Sequence, residues 1–160
     1  MALLRGDEAP DEILPIAYGM EEGLATFYSA MASREADVEV VDLFNQLSEI
    51  EQKHKQRLLG VYLDLDPSVT DRETFESRVV AGLMEGGFTT EEFLEKNTET
   101  LKTVSDIINI AMMLETQALD LYLRYSQKIT GQKSKTILFD IAEQEKAHLR
   151  ALGSLMDIKA

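Results

Sequence analysis

The chain has no cysteine and no tryptophan, and only three prolines and two histidines among its 160 residues. The absence of cysteine excludes disulfides, thiolate zinc sites and iron–sulfur clusters, and it fits a reducing compartment. A bound metal would therefore need carboxylate and imidazole ligands, which suit iron, manganese or zinc. A chain of this length suits one domain, which we expect to span residues 1–160.

Positive charge is also scarce, because 16 lysines and arginines face 29 acidic residues, for a net charge of −13. So acidic a chain lacks the basic face that binds phosphates, and we expect neither a nucleic-acid partner nor binding to an anionic membrane. No stretch approaches the roughly 20 apolar residues of a membrane span. The apolar run at residues 1–5 is too short for a signal peptide, so we predict a cytoplasmic protein.

Apolar residues recur three and four positions apart through most of the chain, a period that predicts amphipathic helices. We predict four long helices, at about residues 11–33, 37–64, 100–130 and 134–156. Gly131 is typical of the residue that follows the end of a helix.

The segment between the second and third long helices, at about residues 65–97, has a different composition. Pro67 ends the second helix, a pair of glycines at 86–87 breaks a short helix predicted at residues 72–85, and Thr89 begins a capping box for another. The segment is long enough to run the length of a bundle. We therefore predict an all-α fold, a ferritin-like antiparallel four-helix bundle of two helical hairpins joined by a long crossover containing short helices.

Four glutamates and two histidines repeat at one offset along the chain. Each histidine closes a Glu-x-x-His unit, and the two units lie 94 residues apart (145 − 51 and 148 − 54). The same offset links two further glutamates (115 − 21). Residues three apart share a helix face, and these side chains fall on apolar stripes that should be buried. The six residues are Glu21, Glu51, His54, Glu115, Glu145 and His148.

Four buried carboxylates need a partner. Burying one costs several kcal/mol even after relaxation, whereas a whole domain is stable by only about 5–15 kcal/mol. Two divalent cations would balance the charge of four glutamates. A lone Glu-x-x-His is usually a solvated helix face, but the repeated set favours a two-metal site, so we interpret the six residues as metal ligands and candidate catalytic residues.

Two tyrosines follow the glutamates of the first and third helices at one spacing. Tyr28 lies seven residues after Glu21, and Tyr122 lies seven residues after Glu115. The simplest interpretation makes both of them core aromatics. The alternative is that their hydroxyl groups donate hydrogen bonds to ligating carboxylates.

These motifs together resemble the diiron core of the ferritin-like superfamily, most closely its rubrerythrin branch. The resemblance covers the four long helices and leaves out the crossover. The motifs that carry it are Glu21-x₆-Tyr28, Glu51-x₂-His54, Glu115-x₆-Tyr122 and Glu145-x₂-His148.

The resemblance implies roles for these residues. Glu51 and Glu145 would bridge two iron ions, and the tyrosines would donate hydrogen bonds to the ligands. The terminal ligands would be one Glu–His pair for each metal, namely Glu21 with His54 and Glu115 with His148. A homodimer is implied as well.

Three departures from the pattern bear on function. Rubrerythrins proper carry a rubredoxin domain with four cysteines, and a chain without cysteine needs a separate electron donor. Rubrerythrins also have a glutamate three residues after the helix-three ligand, where this chain has Ala118. Related monooxygenases and reductases usually place Asp before the Glu of the second motif, whereas here the preceding residues are Ile50 and Gln144.

The first hypothesis is a diiron oxidoreductase that reduces hydrogen peroxide or dioxygen with Fe(II). A second is an iron-handling or metal-binding bundle without catalytic turnover. A third is a diiron hydroxylase of an organic substrate, which needs a pocket beside the metals. A purely structural bundle is opposed by the predicted burial of so many charges.

Overall fold

The computed structural model describes residues 7–65, 68, 72–78, 90–97 and 99–159. Within these ranges the chain forms four long helices, with two short helices between the second and the third. The helices are α1 (Pro10–Arg34), α2 (Val38–Leu65), α3 (Arg72–Arg78), α4 (Thr90–Lys96), α5 (Val104–Tyr125) and α6 (Gln132–Lys159). The order of the elements agrees with the prediction, whereas several bounds differ.

Local side chains set the start of the first hairpin. Pro10 occupies the first position of α1, where its missing N–H is not needed. The Glu12 carboxylate accepts the backbone N–H of Ala9 at 3.0 Å, which satisfies one of the free donors at the helix start. Before α2, the Asp37 carboxylate accepts the backbone N–H of Glu39 at 3.0 Å. Only residues 35–37 separate the two helices, so α1 and α2 form a tight hairpin.

Helix α5 is shorter than predicted at both ends. Thr103 and Asp106 form a capping box, in which each backbone N–H donates to the other side chain, at 2.9 and 3.1 Å. This pair fixes the start of the helix at Val104 instead of residue 100. The helix stops at Tyr125, and Gly131, with a φ of 90°, belongs to the turn that leads into α6. The positive φ explains the glycine, although it does not directly follow α5.

The crossover is described in part. Helix α3 covers the first half of the short helix predicted at residues 72–85, and α4 agrees with the second short helix. The predicted break at residues 86–87 and the capping threonine Thr89 lie outside the described residues. The Phe75 ring packs against the rings of Tyr18 at 5.0 Å and Tyr62 at 4.6 Å, which holds α3 against α1 and α2.

The long helices pack as two hairpins, α1 with α2 and α5 with α6, which meet through α1 with α5 and α2 with α6. Two hydrogen bonds show that α1 and α5 are antiparallel, because Tyr28 contacts Glu115 whereas Tyr122 contacts Glu21. Buried apolar side chains from all four helices form one core. The predicted ferritin-like four-helix bundle is confirmed. Among the described helices, none has the length and apolar character that crossing a membrane requires.

Candidate metal centre

Six charged or ionisable side chains meet in the middle of the bundle, one from each of α1 and α5 and two from each of α2 and α6. They are all six residues that the repeat singled out. The four glutamates and the histidine of α2 have an exposed fraction of 0%, and the histidine of α6 has 4%. In order along the chain they are Glu21, Glu51, His54, Glu115, Glu145 and His148.

The first half of the cluster surrounds the Nδ1 atom of His54. This nitrogen lies 2.8 Å from Glu145, 2.9 Å from Glu51 and 3.5 Å from Glu21, measured to a carboxylate oxygen in each case. One ligand atom from each of these four residues lies within 4.8 Å of the others. The spacing of these atoms suits a single cation held between them.

The second half surrounds the Nδ1 atom of His148 in the same way. This nitrogen lies 3.0 Å from Glu51, 3.2 Å from Glu115 and 3.6 Å from Glu145. These four residues form a second group whose ligand atoms also lie within 4.8 Å of one another. The two imidazole rings are stacked, with centroids 5.7 Å apart.

Two glutamates belong to both groups and divide their oxygens between them. Glu51 places Oε2 beside His54 and Oε1 beside His148. Glu145 places Oε1 beside His54 and Oε2 beside His148. A carboxylate that presents one oxygen to each of two neighbouring groups is arranged to span two cations.

The two tyrosines are fully buried, and both donate hydrogen bonds to the cluster. They are therefore core aromatics and also support the carboxylates, as the two interpretations of the sequence proposed. Each tyrosine donates to a glutamate of the other hairpin. Tyr28 of α1 donates its hydroxyl hydrogen to Oε1 of Glu115 in α5, at 2.5 Å. Tyr122 of α5 donates to Oε1 of Glu21 in α1. Each tyrosine thus leaves the second oxygen of its glutamate, Oε2, without a hydrogen bond.

The outer ring nitrogens of the histidines differ. His54 Nε2 lies 2.7 Å from Oε1 of Gln144, the residue before Glu145. His148 Nε2 is buried and has no hydrogen-bond partner within the described part of the chain. The sequence showed Gln144 only as a departure from the pattern of relatives. Its contact with His54 depends on how α2 and α6 pack, which no local motif reveals.

Burial and mutual repulsion raise the proton affinity of the cluster. Burial, with a further contribution from Glu51, raises the pKa of Glu21 to about 8. Burial and the nearby Glu145 carboxylate hold the pKa of Glu115 well above its usual range. Burial lowers the pKa of His148, but hydrogen bonds to Glu115 and the other carboxylates outweigh it and raise the pKa to about 12. Without a cation, the cluster therefore retains protons.

The same balance operates at the first histidine and the tyrosines. Burial lowers the pKa of His54, but its hydrogen bonds to Glu145, Glu21 and Glu51 raise it far above the usual range. Burial, followed by the charge of Glu115, raises the pKa of Tyr28. Burial, followed by the charge of Glu21, raises the pKa of Tyr122. Both phenols are therefore hydrogen-bond donors at neutral pH.

The donor atoms fit a pair of divalent cations. In the described residues, nine buried side-chain nitrogen or oxygen atoms lack a hydrogen bond of good geometry, and all nine belong to the six cluster residues. Such atoms are costly to bury unless something else satisfies them. Carboxylate oxygens and imidazole nitrogens from four helices form the donor set of di-iron and di-manganese bundle proteins. The cluster is therefore a metal site of the diiron type.

The bundle, with one glutamate on each of two helices and Glu-x-x-His on each of the other two, defines a ferritin-like carboxylate metalloprotein. The sequence model of the Rubrerythrin family matches residues 12–156, so this chain belongs to the rubrerythrin family, and the resemblance seen in the motifs is confirmed. The chain is also similar to the solved structure of a hypothetical protein from Pyrococcus furiosus. That likeness has 24% sequence identity and a TM-score of 0.72, and it covers 96% of this chain and 92% of the other. It shows the fold alone. No curated protein matches the chain.

Proposed function

We propose that this protein is a diiron oxidoreductase that uses Fe(II) to reduce hydrogen peroxide or dioxygen. The observation that carries the proposal is the division of the carboxylate oxygens of Glu51 and Glu145 between two adjoining groups of ligands. A structural bundle has no need of this arrangement, and a site for a single ion needs only one group. Two ions held next to each other can act together on one small molecule.

The distances support the following ligand roles. The first position would be held by Glu21 and His54, and the second by Glu115 and His148, with Glu51 and Glu145 shared by both. All six residues are proposed as metal ligands and, because they surround the reacting centre, as catalytic residues. When bound, two ferrous ions would supply the two electrons that reduce one hydrogen peroxide molecule. Manganese or zinc would fit the same donors.

The other parts of the chain would maintain the site between turnovers. Tyr28 and Tyr122 each donate a hydrogen bond to one oxygen of Glu115 and Glu21, respectively, which would hold these carboxylates in place beside the cations. Burial of all six ligands excludes water from the centre. The chain contains no cysteine for a thiolate iron centre of its own. We therefore propose that a separate donor returns the electrons.

The hydroxylase alternative needs an apolar pocket that opens onto the metals. One surface cavity formed by described residues lies beside the turn between α5 and α6, and none of the six ligands lines it. Its lining residues are Leu123, Ser126, Gln127, Gln132, Lys135, Thr136 and Phe139. The cavity therefore gives no support to hydroxylation.

Anaerobic loading with Fe²⁺ followed by metal analysis tests the site, and we expect two irons per chain. Stopped-flow mixing of the loaded protein with hydrogen peroxide then tests the reaction, which should be faster than oxidation of free Fe²⁺ in the same buffer. Glu51→Ala should lose both properties, whereas Glu49→Ala, which changes an exposed glutamate of the same helix, should retain them. Fewer than two irons per chain would remove the diiron proposal. Two bound irons that react with neither hydrogen peroxide nor dioxygen faster than free Fe²⁺ does would overturn the oxidoreductase and favour the iron-handling alternative.

A further inference from the structure

The two histidines have similar contacts at Nδ1, the nitrogen that faces the cluster, but different contacts at Nε2, the nitrogen that faces away from it. His54 Nε2 meets the side-chain oxygen of Gln144 at 2.7 Å. His148 Nε2 is equally shielded from solvent, yet it makes no hydrogen bond in the described structure. His148 is also the only one of the six residues with measurable exposure, at 4%.

This difference matters because both rings direct Nδ1 at the carboxylates. An imidazole that coordinates a cation through Nδ1 keeps its proton on Nε2, and an acceptor at Nε2 selects that tautomer and fixes the ring. The amide oxygen of glutamine accepts hydrogen bonds and does not donate them. Gln144 is therefore placed to hold His54 in the form that binds a cation. Among the described residues, His148 has no such acceptor at Nε2.

The origin of the difference is visible in the repeat. Gln144 directly precedes Glu145, and the offset of 94 places Ile50, which directly precedes Glu51, at the equivalent position (144 − 94). The helices α2 and α6 are antiparallel, because His54 pairs with Glu145 while Glu51 pairs with His148. The position that brings Gln144 to His54 therefore has a counterpart at residue 50 on the side of His148. The isoleucine side chain there has no atom that accepts a hydrogen bond.

We propose that the two metal positions are inequivalent and that Gln144 is the positioning residue that makes them so. The position that contains Glu21 and His54 binds its cation first and more tightly, and the position that contains Glu115 and His148 binds second. This inference rests on the proposed two-metal function. Removal of a hydrogen-bond partner behind a ligating histidine typically weakens metal binding by about ten- to hundredfold. We expect a difference of that order between the two binding steps.

Cobalt(II) is a suitable probe because it accepts the same ligands as Fe(II) and shifts the proton resonances of bound histidines. Titration of the metal-free protein with Co²⁺ should show two binding steps separated by about ten- to hundredfold in affinity. In the proton spectrum, each bound imidazole should give one exchangeable N–H signal. The signal of His54 should disappear slowly in D₂O because Gln144 holds the proton, whereas that of His148 should disappear quickly.

Three variants separate positioning by Gln144 from a merely structural role. Gln144→Ala should weaken the tighter step by about ten- to hundredfold and make both N–H signals exchange quickly. Gln144→Glu keeps an acceptor at that position and should retain the slow signal. Ile50→Gln supplies the missing acceptor and should bring the two steps closer together. Gln52→Ala is the matched control, because Gln52 is an exposed glutamine next to the ligand Glu51. The side-chain oxygen of Gln52 accepts a hydrogen bond from Lys55 at 3.3 Å and not from a histidine.

The outcomes distinguish this inference from the function on which it rests. Two bound Co²⁺ with equal affinities and equal exchange rates would overturn the inequivalence and leave the two-metal site intact. A Gln144→Ala variant that behaves like Gln52→Ala would also overturn it. Fewer than two Co²⁺ per chain in the unaltered protein would overturn both the inference and the proposed function. Loss of the slow N–H signal in Gln144→Ala, with its retention in Gln144→Glu, would support the assignment.

Discussion

The two hairpins present the same residues to the centre of the bundle, but they differ around it. In the first hairpin, the Tyr18 ring packs against Phe75 of α3. The ammonium group of Lys55 lies over the same ring, at 5.1 Å from its centre. The offset of 94 places Met112 and Leu149 at the equivalent positions of the second hairpin. Neither can form the same contacts. The repeat therefore holds at the six residues of the buried cluster and fails at these positions, which support the packing of the helices.

The outer surfaces of the two hairpins also differ, in the number of apolar side chains that they expose. Among the described residues, the second hairpin exposes four large apolar side chains, including Phe139 at 52% and Leu123 at 39%, whereas the first exposes one, Val38 at 71%. The equivalent residues of the first hairpin, Asn45 and Ser29, are polar and exposed (139 − 94 and 123 − 94). The geometry of the site restricts which residue types can occupy the positions of the six ligands and two tyrosines, whereas positions on the outer surface tolerate many residue types. Comparison of matched variants in the two hairpins is therefore a direct test of the site.

The largest effect is expected from removal of a shared carboxylate. Since Glu51 and Glu145 each serve both groups of ligands, Glu51→Ala and Glu145→Ala should both eliminate tight binding of two metals, and to the same extent. Metal analysis after gel filtration measures this. Glu143→Ala, which changes an exposed residue of α6 that pairs with Lys146, should retain two metals. If only one of the two buried variants lost both metals, the shared role would be wrong for the other glutamate.

Removal of one histidine should eliminate tight binding of one metal instead of two. His54→Ala and His148→Ala each delete a ligand of one position only, so each variant should keep one tightly bound metal per chain. Calorimetric titration with Zn²⁺ would show one strong step in place of two. A His148→Ala protein that still held two metals tightly would refute the assignment of that histidine.

The metal-free and metal-loaded proteins should respond to pH in opposite directions. The pKa of Glu21 is raised from 4.5 to about 8, so between these values the folded state binds more protons than the unfolded state. The free energy of unfolding of the metal-free protein should therefore fall as the pH rises from 4.5 to 8. The raised pKa of His148 acts in the same direction above pH 6.5. Metal binding should strengthen over the same range, because the cations displace those protons.

Thermal unfolding of the metal-free protein at a series of pH values measures this, with an expected loss of about 5 °C or more in Tm. The Glu21→Gln variant is the control, because its carboxamide does not titrate and its Tm should depend less on pH. A metal-free protein whose Tm rose between pH 5 and 8 would contradict the buried, proton-holding cluster.

The sequence was sufficient to predict the fold and to select the six residues of the cluster. Helix periodicity depends on local spacing and the repeat on a constant offset of 94 residues, and the sequence shows both directly. The offset between the two Glu-x-x-His units indicated that they belong together, and the structure brings them into contact. The predicted start of α5 lies four residues too early, because the capping box of Thr103 and Asp106 begins the helix at Val104.

The particular hydrogen bonds between helices, in contrast, could not be predicted from the sequence. Tyr28 and Glu21 share a helix, and only the antiparallel packing of α1 on α5 shows that Tyr28 serves Glu115 instead. The contact of Gln144 with His54 has the same cause, since the two residues are 90 apart along the chain. Side-chain reach across a bundle is set by helix register, which local spacing does not determine.

The crossed tyrosines allow a finer test of the comparison between the hairpins. Tyr28→Phe removes the hydrogen bond to Glu115, so it should weaken the metal position that contains His148, on the opposite hairpin. Tyr122→Phe removes the hydrogen bond to Glu21 and should weaken the position that contains His54. We expect about a tenfold loss of affinity at one step in each case, because the ligand remains while its support is lost. Titration with Co²⁺ resolves which step is affected.

Tyr125→Phe provides the matched control for both variants. Tyr125 is a buried tyrosine whose hydroxyl also donates to a carboxylate, that of Glu8, away from the six ligands. Its loss should lower the Tm and leave both metal affinities unchanged. If Tyr28→Phe weakened the position of His54 instead, each tyrosine would act within its own hairpin, and the crossed arrangement would be wrong. Equal weakening of both steps would indicate that the tyrosines act through the shared glutamates.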